Sequence, residues 1–471
     1  MNAETATDYT HHEDGLPIPR RYWSAVGIWL ALAMAVLDGA IANVALPVIA
    51  RELGASPAAS VWVINAYQLT ITILLLPLAA LGDRVGYKCI YIPGLALFTL
   101  GSVGCALGGT LDLLIAARVF QGIGAACIMS MNAALVRATY PAEMLGRGIG
   151  YNAMVLSISA AIGPTLAALI LSVASWQWLF LINLPIGIAA LVVGRKALPD
   201  PHGHGRPFDW PSALLSGAMM GLIVFGAETF ARENSTIGVV LAGSGVIAGL
   251  ALVWREWGAP NPLMPLDLLK IPIFTLSITT SVVSFAAQML AYVAIPFLFQ
   301  SVLGKSVFAT GLLMTPWPLA VGVAAPIAGR LADKINAGLL GGIGLAIFAA
   351  GLFFLSRLGA SPHNFDIAWR MAVCGIGFGL FQSPNNRTIV GCAPRTRSGA
   401  AGGLLATARL LGQTGGAVSV AAVFHAFGVA GGPLLLRAAA IAAAIAALLS
   451  LLRLRVARPG DDAPEPAPLI D

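Results

Sequence analysis

The chain has 471 residues, 58% of them hydrophobic and only 10% charged, with a mean hydropathy of +0.84. That excludes a soluble globule, since such domains carry about a quarter charged residues. The net charge of +6 does not indicate a nucleic-acid partner, because the Lys and Arg residues sit in short connections and not in a patch or stripe. The apolar runs are too long and uniform for a barrel, whose strands alternate over about ten residues. Helices, which satisfy their own backbone in lipid, remain, and the expected fold class is an all-α integral membrane protein. The five cysteines show no C-x-x-C spacing, so neither a disulfide framework nor a zinc site is expected.

Residues 1–24 form a polar tail without the basic flank, short apolar run and cleavage site of a secretory signal, so helix 1 is expected to act as the insertion signal. The adjacent His11 and His12 read as incidental and not as a metal pair. Counting apolar runs of ~18–25 residues between polar breaks predicts about fourteen spans. They lie at 25–48, 60–81, 90–109, 112–135, 147–172, 177–197, 211–229, 237–256, 273–299, 308–329, 338–356, 367–387, 398–426 and 432–452.

Helix 1, AVGIWLALAMAVLDGAIANVALP, carries one acid, Asp38, deep inside it. An ionised carboxylate in hydrocarbon is costly unless it faces protein, water or a partner charge, which makes Asp38 a functional candidate. At ~1.5 Å per residue it lies ~20 Å from the helix start, past the middle of a ~30 Å core. Helix 2 carries Asn65 and Gln68 at central depth and ends in the charged loop AALGDRVGYK (79–88). In helix 4, AARVFQGIGAA (116–126) puts Arg118 and Gln121 one turn apart, beside the smooth face of Gly122 and Gly124. Arg118 is expected at a depth close to that of Asp38, in a shared water-filled cavity where the arginine favours the ionised carboxylate and burial the neutral acid. Gly163-Pro164 in AAIGPTLAALILS (160–172) predicts a kinked, closely packed helix 5.

The segment LPDPHGHGRPFDWP (198–211) reads as a linker. Helices 7 and 8 lack a lone mid-membrane charge, and their GxxxG spacings, Gly217 to Gly221 and Gly245 to Gly249, suit packing. Glu228, beside Arg232 and Glu233, reads as interfacial. With Asn65, Gln68 and Gln121, the residues Gln288, Tyr292 and Phe381 are expected to line a substrate cavity at central depth, as are Arg409 and Gln413. Helix 13, GAAGGLLATARLLGQTGGA (399–417), places Arg409 and Gln413 one turn apart near mid-membrane. The acidic, Pro-rich end is expected to be disordered.

With the N-terminus inside, about 19 of the 27 Lys and Arg residues fall on the cytoplasmic side, about six outside, and Arg118 and Arg409 in the membrane. That asymmetry predicts cytoplasmic N- and C-termini in the inner, or plasma, membrane. The loop GRLADKI (329–335) after helix 10 echoes the loop after helix 2, as in transporters built from parallel repeats. The expected domains are a tail 1–24, a six-helix half 25–197, a linker with two accessory helices 198–256, a second half 273–455 and a tail 456–471.

LDGAIANVALP, GDRVGYK, RVFQGIGAA, IGP and WQWLFLINLPIG (176–187) come in an order and spacing that resemble the major facilitator superfamily, specifically its fourteen-helix drug:proton antiporter branch. The resemblance covers the chain apart from both tails. It implies the major facilitator fold, two six-helix halves plus two inserted helices. It also implies that Asp83, Arg84, Gly86 and Lys88 form a gating loop whose acid latches on the N-terminus of helix 13 near Ser398. Arg118 would take part in proton coupling with Asp38, and Gly163-Pro164 would be the helix 5 antiporter motif. Three features depart from the family pattern: Ala79 and Tyr87 in the loop, and the pair Ala167-Ala168 where a glycine pair is usual. The function so implied is export of small hydrophobic compounds, cations among them, in exchange for protons, by a monomer in the lipid bilayer, with a proton gradient and no cofactor or metal. A metabolite transporter, for an amino acid for example, is the alternative. A membrane-embedded enzyme is disfavoured, since four of only six histidines lie in the tail and linker.

Overall fold

The computed structural model describes residues 15–199, 209–232, 235–257, 266–332, 334–392 and 398–456. The His11-His12 pair, most of the linker, Glu233, Asp333 and the C-terminal tail lie outside them, as does the side chain of Glu228. Among the described residues fourteen helical rods run back and forth. They are α1 Arg20–Glu52, α2 Pro57–Val85, α3 Tyr87–Ala106, α4 Leu111–Thr139, α5 Leu145–Val173, α6 Trp178–Ala197 and α7 Trp210–Arg232. There follow α8 Ser235–Glu256, α9 Pro272–Phe297, α10 Val307–Leu331, α11 Ala337–Ser356, α12 Asn364–Cys392, α13 Ser398–Phe427 and α14 Gly432–Leu452.

Among the described residues, by length and apolarity together, twelve stretches qualify as membrane spans, two short of the expected fourteen. One of the twelve, Ala401–Arg455, runs through α13 and α14. The other difference is α12, long enough at 29 residues but carrying Asp366, Arg370 and Arg387. The rods start where side chains can cap them: the Thr110 hydroxyl accepts from Leu113 N at 3.3 Å and the Ser306 hydroxyl from Ala309 N at 3.1 Å. Between α2 and α3 the chain turns at Gly86, whose φ of 96° favours glycine.

Packing repeats between the first six rods and the last six. α4 lies against α2 and α3 as α12 lies against α10 and α11, and α1 lies against α5 and α6 as α9 lies against α13 and α14. The match extends to single atoms. A Cβ added to Gly124 would meet Phe98 N at 2.3 Å and Gly94 O at 2.6 Å; one added to Gly377 would meet Phe348 N at 2.4 Å and Gly344 O at 2.6 Å. Gly122 likewise abuts Tyr67 O, and Gly375 abuts Trp317 O. Glycine at these places lets helix backbones touch, which in lipid is a main source of helix association.

The halves meet at the end remote from both chain ends. There a Gly311 Cβ would fall 2.4 Å from Pro164 O and 2.3 Å from the Ala168 Cβ. The Thr165 and Thr315 hydroxyls lie 2.5 Å apart, and Gln300 donates to Val44 O at 3.1 Å. Ala167 and Ala168, which stand where a glycine pair is usual, are fully buried in this seam, and the space that a glycine would give comes from Gly311 on the facing helix. Residues 41–50 of α1 are all buried, whereas Ala33, Val36 and Leu37, nearer the chain ends, are half-buried, so the interface opens toward the end that carries both termini.

The α7–α8 hairpin packs against α2 and α13 from outside. Trp62 stacks on Phe225 at 5.6 Å, and Val224 joins Leu69 and Val418. Gly245 and Gly249 fit against Ile223 and Met219 of α7, while Gly217 and Gly221 face Ile73 of α2. Arg255 at the end of α8 donates to Asp209 before α7 at 3.0 Å. Burial raises the Asp209 carboxyl, but the Ser212 hydroxyl and Arg255 outweigh it and hold the group below the usual carboxylate range.

Candidate functional site

Five helices of the first half converge on Asp38. The Arg118 guanidinium forms an ion pair with its Oδ2 through Nη1. The Gln121 amide donates to Oδ1 at 2.8 Å and the Asn183 amide to the same oxygen at 2.9 Å. Both amides also reach the Ser102 hydroxyl, at 2.8 and 3.2 Å. Arg118 Nε donates to Val63 O at 2.9 Å, and its Nη1 is shared with Gln121 Oε1 at 2.7 Å. The guanidinium lies 4.1 Å from the Tyr67 ring centroid and 5.6 Å from that of Phe180, and Tyr67 donates to Ala35 O at 3.3 Å.

Asp38 is 2% exposed, and Arg118 and Gln121 are fully buried. Every hydrogen-bond partner of the carboxylate is a donor. Such a pair survives burial only with good geometry and further hydrogen bonds, and Gln121, Asn183 and Val63 O supply them. In α12 the positions that match by packing carry Trp317 and Phe348 as neighbours, with Met371 and Cys374 buried nearby. Trp317, Phe348, Phe378 and Tyr292 form an aromatic chain, with centroids 4.9 to 5.4 Å apart. One scaffold thus holds a charged cluster in one half and an apolar core in the other.

Gln121, expected in the substrate cavity, belongs instead to the Asp38 cluster. Phe381 packs on Phe378 at 5.9 Å and is 1% exposed, so it lines no open space in this conformation. Asn65 is fully buried with both amide atoms unpartnered, and Gln68 reaches Met289 Sδ across the halves at 3.9 Å while its Oε1 has no donor. Gln288, Tyr292, Arg409 and Gln413 are half-buried. In the loop, Asp83 and Arg84 are exposed, Gly86 is buried and Lys88 half-buried. Asp83 accepts from the Tyr87 hydroxyl at 2.9 Å, which gives that departure from the family pattern a partner. Gly163 of the helix 5 motif sits on Ala40 of α1, where a Cβ would come within 2.5 Å. Sequence reasoning missed Asn183 and Ser102. The only signal for Asn183 was an amide inside the otherwise apolar WQWLFLINLPIG. At the end of α14 the structure also buries Arg453, which donates to Ser277 Oγ at 3.1 Å and to Asn385 Oδ1 at 2.8 Å.

The model of the Major Facilitator Superfamily matches residues 28–417 and 276–470. Among curated proteins, the chain is similar to the "Uncharacterized transporter YebQ" of Escherichia coli (strain K12), 53% identical over 94% of this chain and 97% of that protein. It is 32% identical to the "Riboflavin transporter RibZ" of Clostridioides difficile (strain 630), over 82% of this chain and 84% of that one. It is 31% identical to the "Multidrug resistance protein Stp" of Mycobacterium tuberculosis, over 84% and 75%. Among solved structures, a bacterial homolog of the human lysosomal transporter Spinster, inward-facing and unoccupied, superposes with a TM-score of 0.66 at 17% identity, over 94% of this chain and 98% of that one.

Proposed function

The chain belongs to the major facilitator superfamily, and from that premise we propose that it is a proton-coupled antiporter exporting small hydrophobic compounds, drugs and toxic molecules among them, by alternating access. It is a transporter and not an enzyme. The observation that carries the proposal is the Asp38 cluster: the acid furthest from any helix end in the described chain is sealed against Arg118. A buried carboxylate that can trade an arginine for a proton is a means of coupling a gradient to a conformational change.

The excess of Lys and Arg on the side of the chain ends supports cytoplasmic termini in the inner membrane. With that orientation the structure is closed outside and opens inward, ready to load from the cytoplasm. In the proposed cycle, a proton arriving at Asp38 from outside releases Arg118, and re-forming the pair accompanies return to the inward-open state. The Gly163-Pro164 seam and a relative named for multidrug resistance support export of hydrophobic compounds. A relative named for riboflavin keeps a single metabolite as the second reading.

Accumulation of cationic, neutral and anionic fluorescent dyes in cells tests the proposal. Cells making the protein should retain less of at least one dye than cells without it, and a protonophore should abolish the difference. Export that persists with the protonophore contradicts proton coupling.

A further inference from the structure

The membrane interior holds a second guanidinium, and nothing in the Asp38 cluster involves it. Arg409 lies on α13, ~16 Å from the helix start at ~1.5 Å per residue. Its helical neighbours fix where it points. Leu410 packs into the cluster of Tyr67, Ile71 and Leu75 on α2, and Thr414 Oγ1 lies 3.3 Å from Thr72 Oγ1 on the same helix. Gly412 and Gly416 lie against α9, where added Cβ atoms would meet Val282 O at 2.3 Å and Ala286 O at 2.6 Å. Val418, on the far side, meets Val224 of the accessory hairpin. With 3.6 residues per turn, Arg409 and Gln413 fall between the α2 and α9 faces, aimed at the space between the halves. Gly402, two turns nearer the chain ends on the same stripe, would have nothing within 4 Å of an added Cβ.

Among the described residues no acid pairs with Arg409, and its Nε is buried without an acceptor. Asp38, the one acid deep in a described span, is already held by Arg118. An arginine at membrane depth is retained at a cost unless a counter-charge meets it. Arg409 is therefore a positive charge that no acid among the described residues compensates, and it repels a cation and attracts an anion.

We propose that Arg409, with the Gln413 amide one turn away, is the recognition site for an anionic group on the transported molecule, and that the substrates are amphiphilic organic anions: a carboxylate, sulfonate or phenolate on a hydrophobic body. This rests on the transport reading above, gives it a substrate class and sets aside its cationic compounds. A guanidinium binds such groups with two parallel donors, while the apolar walls take the body.

The test is equilibrium binding to the full-length protein in phosphatidylcholine nanodiscs, with no gradient, so that its outcome is independent of coupling and of the whole-cell export assay. The probes are fluorescein, rhodamine and Nile red: an anion and a cation on one ring system, and a neutral dye. The wild-type protein should bind fluorescein at least about tenfold more tightly than rhodamine. Arg409→Gln should weaken fluorescein by about tenfold or more, the loss expected for one charge-assisted hydrogen bond, leave Nile red unchanged, and be partly rescued in Arg409→Lys. Equal wild-type affinity for fluorescein and rhodamine, no fluorescein binding, or an Arg409→Gln loss shared by all three dyes would overturn the proposal. The wild-type comparison stands even where the variant does not fold. Displacement of fluorescein by phosphatidylglycerol with no preference over rhodamine would assign the site to a lipid headgroup and also overturn it.

Discussion

Asp38 and Arg118 are each buried and each charged, so either one left alone is far worse off than both together. Removing one partner of a buried pair typically costs ~3–5 kcal/mol, because the other charge stays behind without compensation. Arg118→Ala should therefore lower thermal stability markedly, and Arg118→Ala combined with Asp38→Asn should regain most of the loss, although neither variant should couple transport to protons. Melting curves in detergent check this; a double variant no more stable than the single one would contradict it. Much of the pair was legible in the sequence, since a lone acid and a lone arginine in lipid each require a partner. Asn183 was not, because an amide's partner depends on how α6 is rotated against α1 and α3, and no residue spacing fixes that rotation. Gln121 was placed on the right face but given the wrong task for the same reason: one turn from Arg118 it can turn to the cavity or to Asp38, and the hydrogen bonds to Asp38 and Ser102 decide it.

At the scale of helices, the seam of α5 with α10 is where the remote end closes. A side chain at Gly311 would collide with the Pro164 carbonyl and with Ala168, both of them backbone-close and unable to yield. Gly311→Val should hold the two helices apart and bias the protein away from the closed outer end. A cysteine introduced at Thr165 should then react faster with a membrane-impermeant thiol reagent added from outside, and an unchanged rate would contradict the role of the seam. In the proposed cycle the loop after α2 serves the opposite closure. A carboxylate at a helix N-terminus is worth ~0.3–1 kcal/mol exposed and up to ~2 kcal/mol partly buried. In this conformation Asp83 is engaged by Tyr87 instead. Asp83→Asn should slow transport while leaving membrane insertion intact; wild-type rates in a well-expressed variant would remove the latch from the account. The α7–α8 hairpin packs outside α2 and α13, and Trp254 on α8 is 84% exposed. Trp254→Ala should leave transport unchanged, and a change in dye preference would place the hairpin at the substrate path.

Over the whole molecule, the two halves share a scaffold of helix contacts but not its contents. The sequence showed this only through two charged loops, because the glycines that carry the repeat are common in any membrane helix and gain meaning once Gly124 and Gly377 are seen against Phe98 and Phe348. The number of spans was less legible, since α12 keeps three charged residues, of which Asp366 and Arg370 pair with each other one turn apart at 2.8 Å. The asymmetry has a functional consequence. The first half carries the titratable acid and the second an aromatic core that cannot take a proton, so in the proposed cycle a single group answers to the gradient. The most direct measurement is proton release from purified protein when substrate is added, in reconstituted vesicles with a pH indicator. The wild-type protein should release protons as substrate draws its protonated fraction into the paired, inward-open form, and take up substrate against its gradient when a pH difference is imposed. Asp38→Asn should bind substrate, release none, and fail to concentrate it; an Asp38→Asn protein that still concentrates substrate under a pH difference would place the coupling group elsewhere.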